Sequence, residues 1–310
     1  MKRNLVVTLL VVLLLFIGTA CGGQAPTPTP AAPAVETPTP TAPTPETPAA
    51  RTILSMGPSN TEILVALGFG DDIIAVDGFS ADVPGLNPGL PTFDMMALDA
   101  EQVIALAPDL IFATGLTQVG GVDPFAPVAA AGIEVIHVPT SASIAEIQAD
   151  IRFIALVMEA EAAGEAILVE MDWEITELLA LVAEVITPRT VYFEIGAPPF
   201  LFSFGHGVFL HEMIELIGAV NVFADQNAWF SVADEAVLAA NPDVILTNVG
   251  YIPDPVGDIL DRAGWATITA VAEGRVYFID PDASSRPSHH IVRALWEMAR
   301  AVYPELFVFG

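Results

Sequence analysis

The chain has 310 residues, 53% of them hydrophobic, and a formal net charge of -28, so it holds enough apolar material for two medium-sized cores. The acidity excludes phosphate backbones and anionic lipid as partners, because both would repel it, and nucleic acid is set aside on that ground. The single cysteine, Cys21, leaves no disulfide within the chain, so folding rests on burial.

The first 23 residues, MKRNLVVTLLVVLLLFIGTACGG, place Lys2 and Arg3 before an apolar run that ends in Gly18, Thr19, Ala20 and Cys21. This order of parts is that of a secretory signal, with a single membrane anchor as the rival reading. Small residues before the cysteine and a polar linker straight after it favour cleavage. The leader is similar to the bacterial lipoprotein signal, which implies that Cys21 is lipidated and holds the mature chain at a membrane surface. Residues 1–21 are therefore expected to be the signal and its cysteine, and residues 22–50 a Pro/Thr-rich disordered tether. The tether's stretch from Gln24 to Ala50, 27 residues at about 3.1 Å each, would reach roughly 80 Å.

Residues 51–142 read as an α/β lobe. Ile53 and Leu54 begin a strand, and Ser59 with Glu62 forms a capping-box pattern that assigns Glu62 to a helix start. IIAVDGF follows as a strand, LDAEQVIALAPDLIFATG as helix and strand, and AAAGIEVIHVP as a helix end and strand. Residues 143–187 differ in kind. Apolar residues recur there at helical spacing, Ser143 and Glu146 repeat the capping box, and the second half predicts one unbroken helix of about 26 residues, roughly 40 Å long. Residues 188–310 read as a second α/β lobe, from the strand TVYFEIG through FGHGVFLHEMIELIGAVNVF and GRVYFID to a closing helix between about Pro287 and Val302. The expected fold is α/β: two lobes with parallel-rich central sheets, joined by one long helix, with a ligand cleft between them.

An internal echo supports the two lobes. Glu101, Val103, Ala105, Pro108 and Asp109 recur at the same offsets as Glu235, Val237, Ala239, Pro242 and Asp243. Each copy reads as a short amphipathic helix, a Pro-Asp turn and a buried strand, which is the pattern of a parallel sheet.

Six segments in order, RTILSMGPSNTEILVALG, LDAEQVIALAPDLIFATG, GVFLHEMIELIGAVNVFAD, ADEAVLAANPDVIL, AVAEGRVYFID and SRPSHHIVRAL, resemble the helical-backbone class of substrate-binding proteins of ABC importers, which handle vitamin B12, ferric siderophores and haem. The resemblance covers Arg51 to Phe307 and is nearest to the vitamin B12 and ferric-siderophore binding subunits. It implies an extracytoplasmic, lipid-anchored monomer that hands its ligand to a permease dimer with its ATPase, without catalysis and without a cofactor of its own. It implies that Glu101 and Glu235 pair with arginines of the two permease subunits, although an acidic residue in a first helical turn also complements the helix dipole. It implies ligand contacts from Phe79, Met95 and Thr114 in the first lobe and from Ile195, Trp229, Asp282 and Arg286 in the second. Phe230 and Tyr251, with Phe200 and Phe204, stand in neighbouring loops where their rings would add to these contacts.

Residue types narrow the ligand. Eight arginines and no lysine follow the leader, so complexes with concentrated negative charge would be repelled, whereas an amide-rich, nearly neutral corrinoid asks for rings and hydrogen bonds. A corrinoid therefore stands first and a ferric siderophore second. A bare metal ion is a weaker reading, because of His137, His206, His211, His289 and His290 only the first falls in the first lobe. A secreted α/β enzyme is weaker still: no nucleophile elbow, P-loop, zinc-protease motif or free cysteine is present. The FGHGVFL stretch lacks the third glycine of a dinucleotide loop and reads as a helix entrance.

Overall fold

The computed structural model describes residues 51–118 and 121–307; the expectations for the leader, Cys21 and the tether lie outside the described residues. The first lobe carries β1 (Ile53–Met56), α1 (Pro58–Ala66), β2 (Ile73–Asp77), β3 (Thr92–Phe93), α2 (Ala100–Leu106), β4 (Leu110–Thr114), α3 (Ala126–Ala130) and β5 (Glu134–Val138). Its sheet has the order β3-β2-β1-β4-β5, and every pairing is parallel. After α4 (Ile144–Val157) and α5 (Glu161–Val182), the second lobe carries β6 (Thr190–Glu194), β7 (Phe202–Phe204), α6 (Phe209–Leu216), β8 (Val220–Asn221), β9 (Trp229–Ser231), α7 (Asp234–Ala240) and β10 (Val244–Thr247). It ends with α8 (Pro255–Leu260), α9 (Thr269–Ala272), β11 (Val276–Phe278), α10 (Pro281–Ser285) and α11 (Ile291–Val302). Its main sheet has the order β11-β10-β6-β8, again all parallel. An antiparallel pair, β7-β9, lies beside it.

The echo marks the same device built twice. In each lobe the aspartate of the Pro-Asp turn accepts from the backbone and the hydroxyl of a threonine that begins the neighbouring strand. Asp109 Oδ2 lies 2.8 Å from Thr52 N and 2.7 Å from Thr52 Oγ1; Asp243 Oδ2 lies 2.9 Å from Thr190 N and 2.8 Å from Thr190 Oγ1. These bonds hold the Asp109 carboxyl below the usual carboxylate range. At Asp243 partial burial works the other way, but the Thr190 bonds and the charges of Arg275 and Arg189 outweigh it, and its carboxyl is lowered too. A carboxyl lowered by folding stabilises at neutral pH, and that stabilisation is lost as the pH falls through the lowered value. The clamp thus fixes the register between the strand after the turn and its central neighbour.

The helical segment holds two helices, α4 and α5. The Ser143 and Glu146 capping box forms, with Ser143 Oγ accepting from Glu146 N at 3.2 Å and Glu146 Oε2 accepting from Ala142 N at 2.7 Å. The chain then breaks at Glu159, whose φ is 54°, and α5 runs for 22 residues, about 33 Å. It is shorter than the expected 26 residues because it ends at the Ala183 cap, before Pro188 is reached. Gly164 permits the tight crossing of α4 and α5: a Cβ there would stand 2.6 Å from that of Ala155. The closing helix also starts later than expected, at Ile291, because Pro281–Ser285 forms a separate short helix that ends at Arg286.

One apolar core spans both lobes. It runs from Ile53 and Phe112 of the first sheet through Ile151, Leu168, Met171 and Leu178 of α4 and α5 to Val191, Leu246 and Leu295 of the second lobe. A smaller core backs the outer face of each sheet, around Ile111 and Phe125 in the first lobe and around Tyr192 and Trp265 in the second. In the second, Arg262 spans β6 and α8: its guanidinium meets Glu194 at 2.7 Å and Asp258 at 2.6 Å and lies 4.2 Å from the Trp265 ring centroid.

The two echoed helices differ at their C-caps, and that difference is measurable. Both end on a left-handed residue, Ala107 with φ 51° and Asn241 with φ 44°. Alanine tolerates this conformation poorly, by about 1 kcal/mol relative to glycine, so Ala107→Gly is expected to raise unfolding stability by roughly that amount in a urea titration. Asn241→Gly is expected to lower it, because the Asn241 side-chain Oδ1 accepts from Thr269 N at 2.8 Å.

Candidate ligand-binding site

Two hollows lie where the carboxyl ends of the strands of both sheets meet. The first, about 340 Å³, is lined from the first lobe by the segments after β1, β3, β4 and β5, including Ser59, Asn60, Met95, Thr114, Leu116 and Ser141, and from the second by Phe209, Trp229, Ser285 and Arg286. The second, about 590 Å³, belongs to the second lobe and is lined by Ile195 after β6, Asn248 and Tyr251 after β10, and Asp282 and Ser285 after β11. Trp229 and Ser285 border both, so the two make one cleft. Open parallel sheets take their ligands in this place.

Local geometry fixes each wall. Gly57, between β1 and α1, has φ 122°, and a Cβ there would stand 3.1 Å from that of Thr114; only glycine lets the α1 entrance approach β4 so closely. Its N–H donates to the buried Asp77 at 2.7 Å. Asp77 also accepts from Phe79 N at 2.8 Å, which sets the loop that carries the exposed Phe79 ring. On the opposite wall Trp229 leans edge-on against Phe204 and Phe209, with centroids 5.5 and 6.5 Å apart, and remains 43% exposed. The Tyr251 hydroxyl accepts from Ala197 N at 2.8 Å, which holds an otherwise exposed ring at the edge of the larger hollow. Asp150 of α4 borders the smaller hollow. Burial pushes its carboxyl up against the hydrogen bond from Ser141, and the charge of Glu146 adds to the rise.

The structure brings together most of the residues named from the sequence. Met95, Thr114, Ile195, Trp229, Tyr251, Asp282 and Arg286 all line the cleft, and Phe79 stands beside it through its carbonyl, which accepts from Arg286 Nη2 at 3.2 Å. Phe230 does not join them. It follows Trp229 on a strand, β9, not a polar loop, and so points the other way, packing edge-on to Phe223 at 5.5 Å in the second lobe's outer core. Phe204 is fully buried. Phe200 is exposed but lines neither hollow. Glu101 and Glu235 are exposed in the first turns of α2 and α7, one per lobe.

Glu62 departs from its expected part. Helix α1 begins at Gly57 with no side-chain cap, so the capping box with Ser59 does not form, and Glu62 points across the cleft. It is only 4% exposed, and its Oε1 meets Arg286 Nη1 at 2.9 Å while Ser288 Oγ donates to its Oε2. Arg286 Nη2 meets Asp282 at 2.8 Å and Asp82 of the first lobe at 3.5 Å. Burial disfavours the Arg286 cation, but the Glu62 hydrogen bond and the charges of Asp282, Glu62 and Asp82 outweigh it and hold the guanidinium above its usual range. Arg286 is the one cationic side chain among the described residues that line the two hollows, and three carboxylates surround it.

The histidines are dispersed. His137 pairs with Asp123 at 3.2 Å, His211 with Glu215 at 3.4 Å, and the rings of His289 and His290 lie tilted against each other with centroids 4.0 Å apart. Burial and the neighbouring His290 keep His289 neutral, with its pKa pushed down to about 4. Among the described residues no group of three or more His, Cys, Asp or Glu side chains is placed to hold a metal ion.

Comparison with known proteins agrees with the fold. A family model described as "Periplasmic binding protein" matches residues 53–283. An uncharacterised ABC transporter substrate-binding lipoprotein of Bacillus subtilis, YvrC, is 31% identical over 260 residues, which cover 82% of this chain and 81% of that one. A vitamin B12-binding protein of Yersinia pestis is 29% identical over 201 residues, 63% of this chain and 69% of that one. Among solved structures, a possible iron-binding periplasmic solute-binding protein of Staphylococcus epidermidis superimposes with a TM-score of 0.72 at 28% identity, covering 82% of this chain and 98% of that one.

The buried ion pair makes a sharp stability prediction. Arg286→Ala leaves Glu62 buried without its partner and is expected to cost about 3–5 kcal/mol in urea unfolding. Glu62→Gln leaves Arg286 with Asp282 and Asp82 and is expected to cost less, about 1–2 kcal/mol. Two equally small losses would show that the pair is dispensable.

Proposed function

The chain belongs to the periplasmic binding protein family of ABC-importer subunits, and we propose that its cleft captures a corrinoid and delivers it to the permease. It is a binding protein, not an enzyme. Its work lies outside the cytoplasm, and its partners are the permease and ATPase of an importer. The observation that carries the finer reading is the charge balance of the cleft. Rings at Trp229 and Tyr251 and hydroxyls and amides at Ser59, Asn60, Ser141 and Asn248 line the two hollows, while the one guanidinium is already paired. Such walls suit a bulky, amide-rich, nearly neutral ligand. The smaller hollow would take an edge of a corrinoid and the larger, more open one the remainder. A nanomolar complex needs about 12 kcal/mol net, which stacking and a few desolvated hydrogen bonds supply when the walls are preformed. An iron chelate is the second reading, supported by the likeness to the Staphylococcus epidermidis protein described as possibly iron-binding.

Residues 1–21 are assigned as lipoprotein signal with Cys21 as the lipidated residue, residues 22–50 as the tether, residues 51–142 and 188–310 as the two lobes and residues 143–187 as the helical link. Support for the anchor comes from the order of the leader and from the lipoprotein relative in Bacillus subtilis. Glu101 and Glu235 are assigned to permease docking. They are exposed, stand at matched positions on α2 and α7, and neither appears in an ion pair with the described residues.

Two outcomes test these assignments. Trp229→Ala is expected to weaken cyanocobalamin binding about tenfold or more, read from the visible spectrum of the complex; unchanged affinity removes the ring from the site. Reversing the charge at both Glu101 and Glu235 is expected to abolish uptake while leaving ligand affinity intact, and uptake that survives the double reversal ends the docking proposal.

A further inference from the structure

We propose that Glu62 is a specificity residue of the cleft: by holding Arg286 in an ion pair between the lobes it denies the ligand a free cation and turns away anionic chelates. The geometry supports this in three steps. The Arg286 side chain borders the smaller hollow, where a free guanidinium would offer a two-pronged grip on a ligand carboxylate. Both of its terminal nitrogens already donate, Nη1 to Glu62 and Nη2 to the Phe79 carbonyl, and Nη2 also pairs with the Asp282 carboxylate at 2.8 Å. Asp82 approaches the same Nη2, so the site presents three carboxylates to one cation. A ligand carboxylate arriving here meets surplus negative charge at a guanidinium whose two terminal nitrogens each already have an acceptor.

Of the three carboxylates, Glu62 carries the weight. Asp82 and Asp282 are half or more exposed, so water and salt weaken their hold. Glu62 is buried and is further fixed by the Ser288 hydroxyl, and its charge acts on Arg286 with little screening. Arginine at this position therefore closes the gap between the lobes at one end and at the same time is withdrawn from ligand recognition. The inference rests on the reading that the cleft takes an uncharged ligand, and adds the residue that enforces it.

The test uses the full chain and two probes: cyanocobalamin, which has no ionised carboxylate, and haemin, which carries two. Affinities are read from visible absorbance for the unaltered protein, for Glu62→Gln, for Asp82→Asn with Asp282→Asn, and for Glu62→Gln with Arg286→Gln. Glu62→Gln is expected to bind haemin about tenfold more tightly than the unaltered protein while its cyanocobalamin affinity changes much less. The gain is expected to shrink at high salt and to vanish when Arg286 is also replaced. The exposed double variant is expected to show a smaller gain of the same sign, and a gain as large as that of Glu62→Gln overturns the assignment; if Glu62→Gln does not fold, Glu62→Asp, which draws the carboxylate back from Arg286, takes its place and is expected to show part of the gain. Haemin affinity unchanged in folded variants, or a gain that persists without Arg286, overturns the assignment of Glu62. An unaltered protein that prefers haemin to cyanocobalamin instead overturns the corrinoid reading, which the variant ratios do not decide.

Discussion

A single apolar core passes beneath both sheets and fixes the distance between them, and everything at the cleft depends on that distance. Side chains such as Ile151, Leu168, Met171, Leu178 and Leu295 are all but fully buried in it, each worth about 1.5–3 kcal/mol on burial. Against such a sum the Glu62–Arg286 pair is a small contribution, and a buried pair is weak evidence for stability in any case. Packing therefore sets the spacing of the lobes, and the ion pair sets the charge that a ligand meets between them. A cleft with walls held in this way is preorganised, so little of the binding energy is lost in closing it.

The two lobes reach the cleft by the same route. A parallel sheet directs the carboxyl ends of its strands to one edge, and the clamps at Asp109 and Asp243 secure the opposite edge, where the strands begin. Loops at the open edge are then free to carry chemistry. The first lobe supplies small polar groups and the backbone turn at Gly57, while the second supplies the rings and the arginine. On the proposed reading the rings of the second lobe recognise the ligand, while Glu62 and Asp82 of the first set the charge around Arg286.

Much of this was legible in the chain. Continuous apolar runs after Pro-Asp turns mark buried parallel strands, and the repeated offsets of Glu101 and Glu235 mark two equivalent units, because local patterns report local structure. Glu62 was not legible, since a glutamate three residues after a serine has a sufficient local explanation, whereas its partner lies 224 residues away. Phe230 was misplaced for a different reason. The segment around Trp229 reads as a polar loop, and once it is a strand the alternation of side chains sends Trp229 to the cleft and Phe230 to the core.

The central claim is that a fixed gap with no available cation selects a large uncharged ligand. Calorimetric titration of the full chain with cyanocobalamin, in the presence and absence of an anionic ferric catecholate competitor, addresses it directly. The account predicts saturable one-to-one binding of cyanocobalamin that the competitor leaves unaltered. Heat from the ferric catecholate alone, with none from cyanocobalamin, would contradict it.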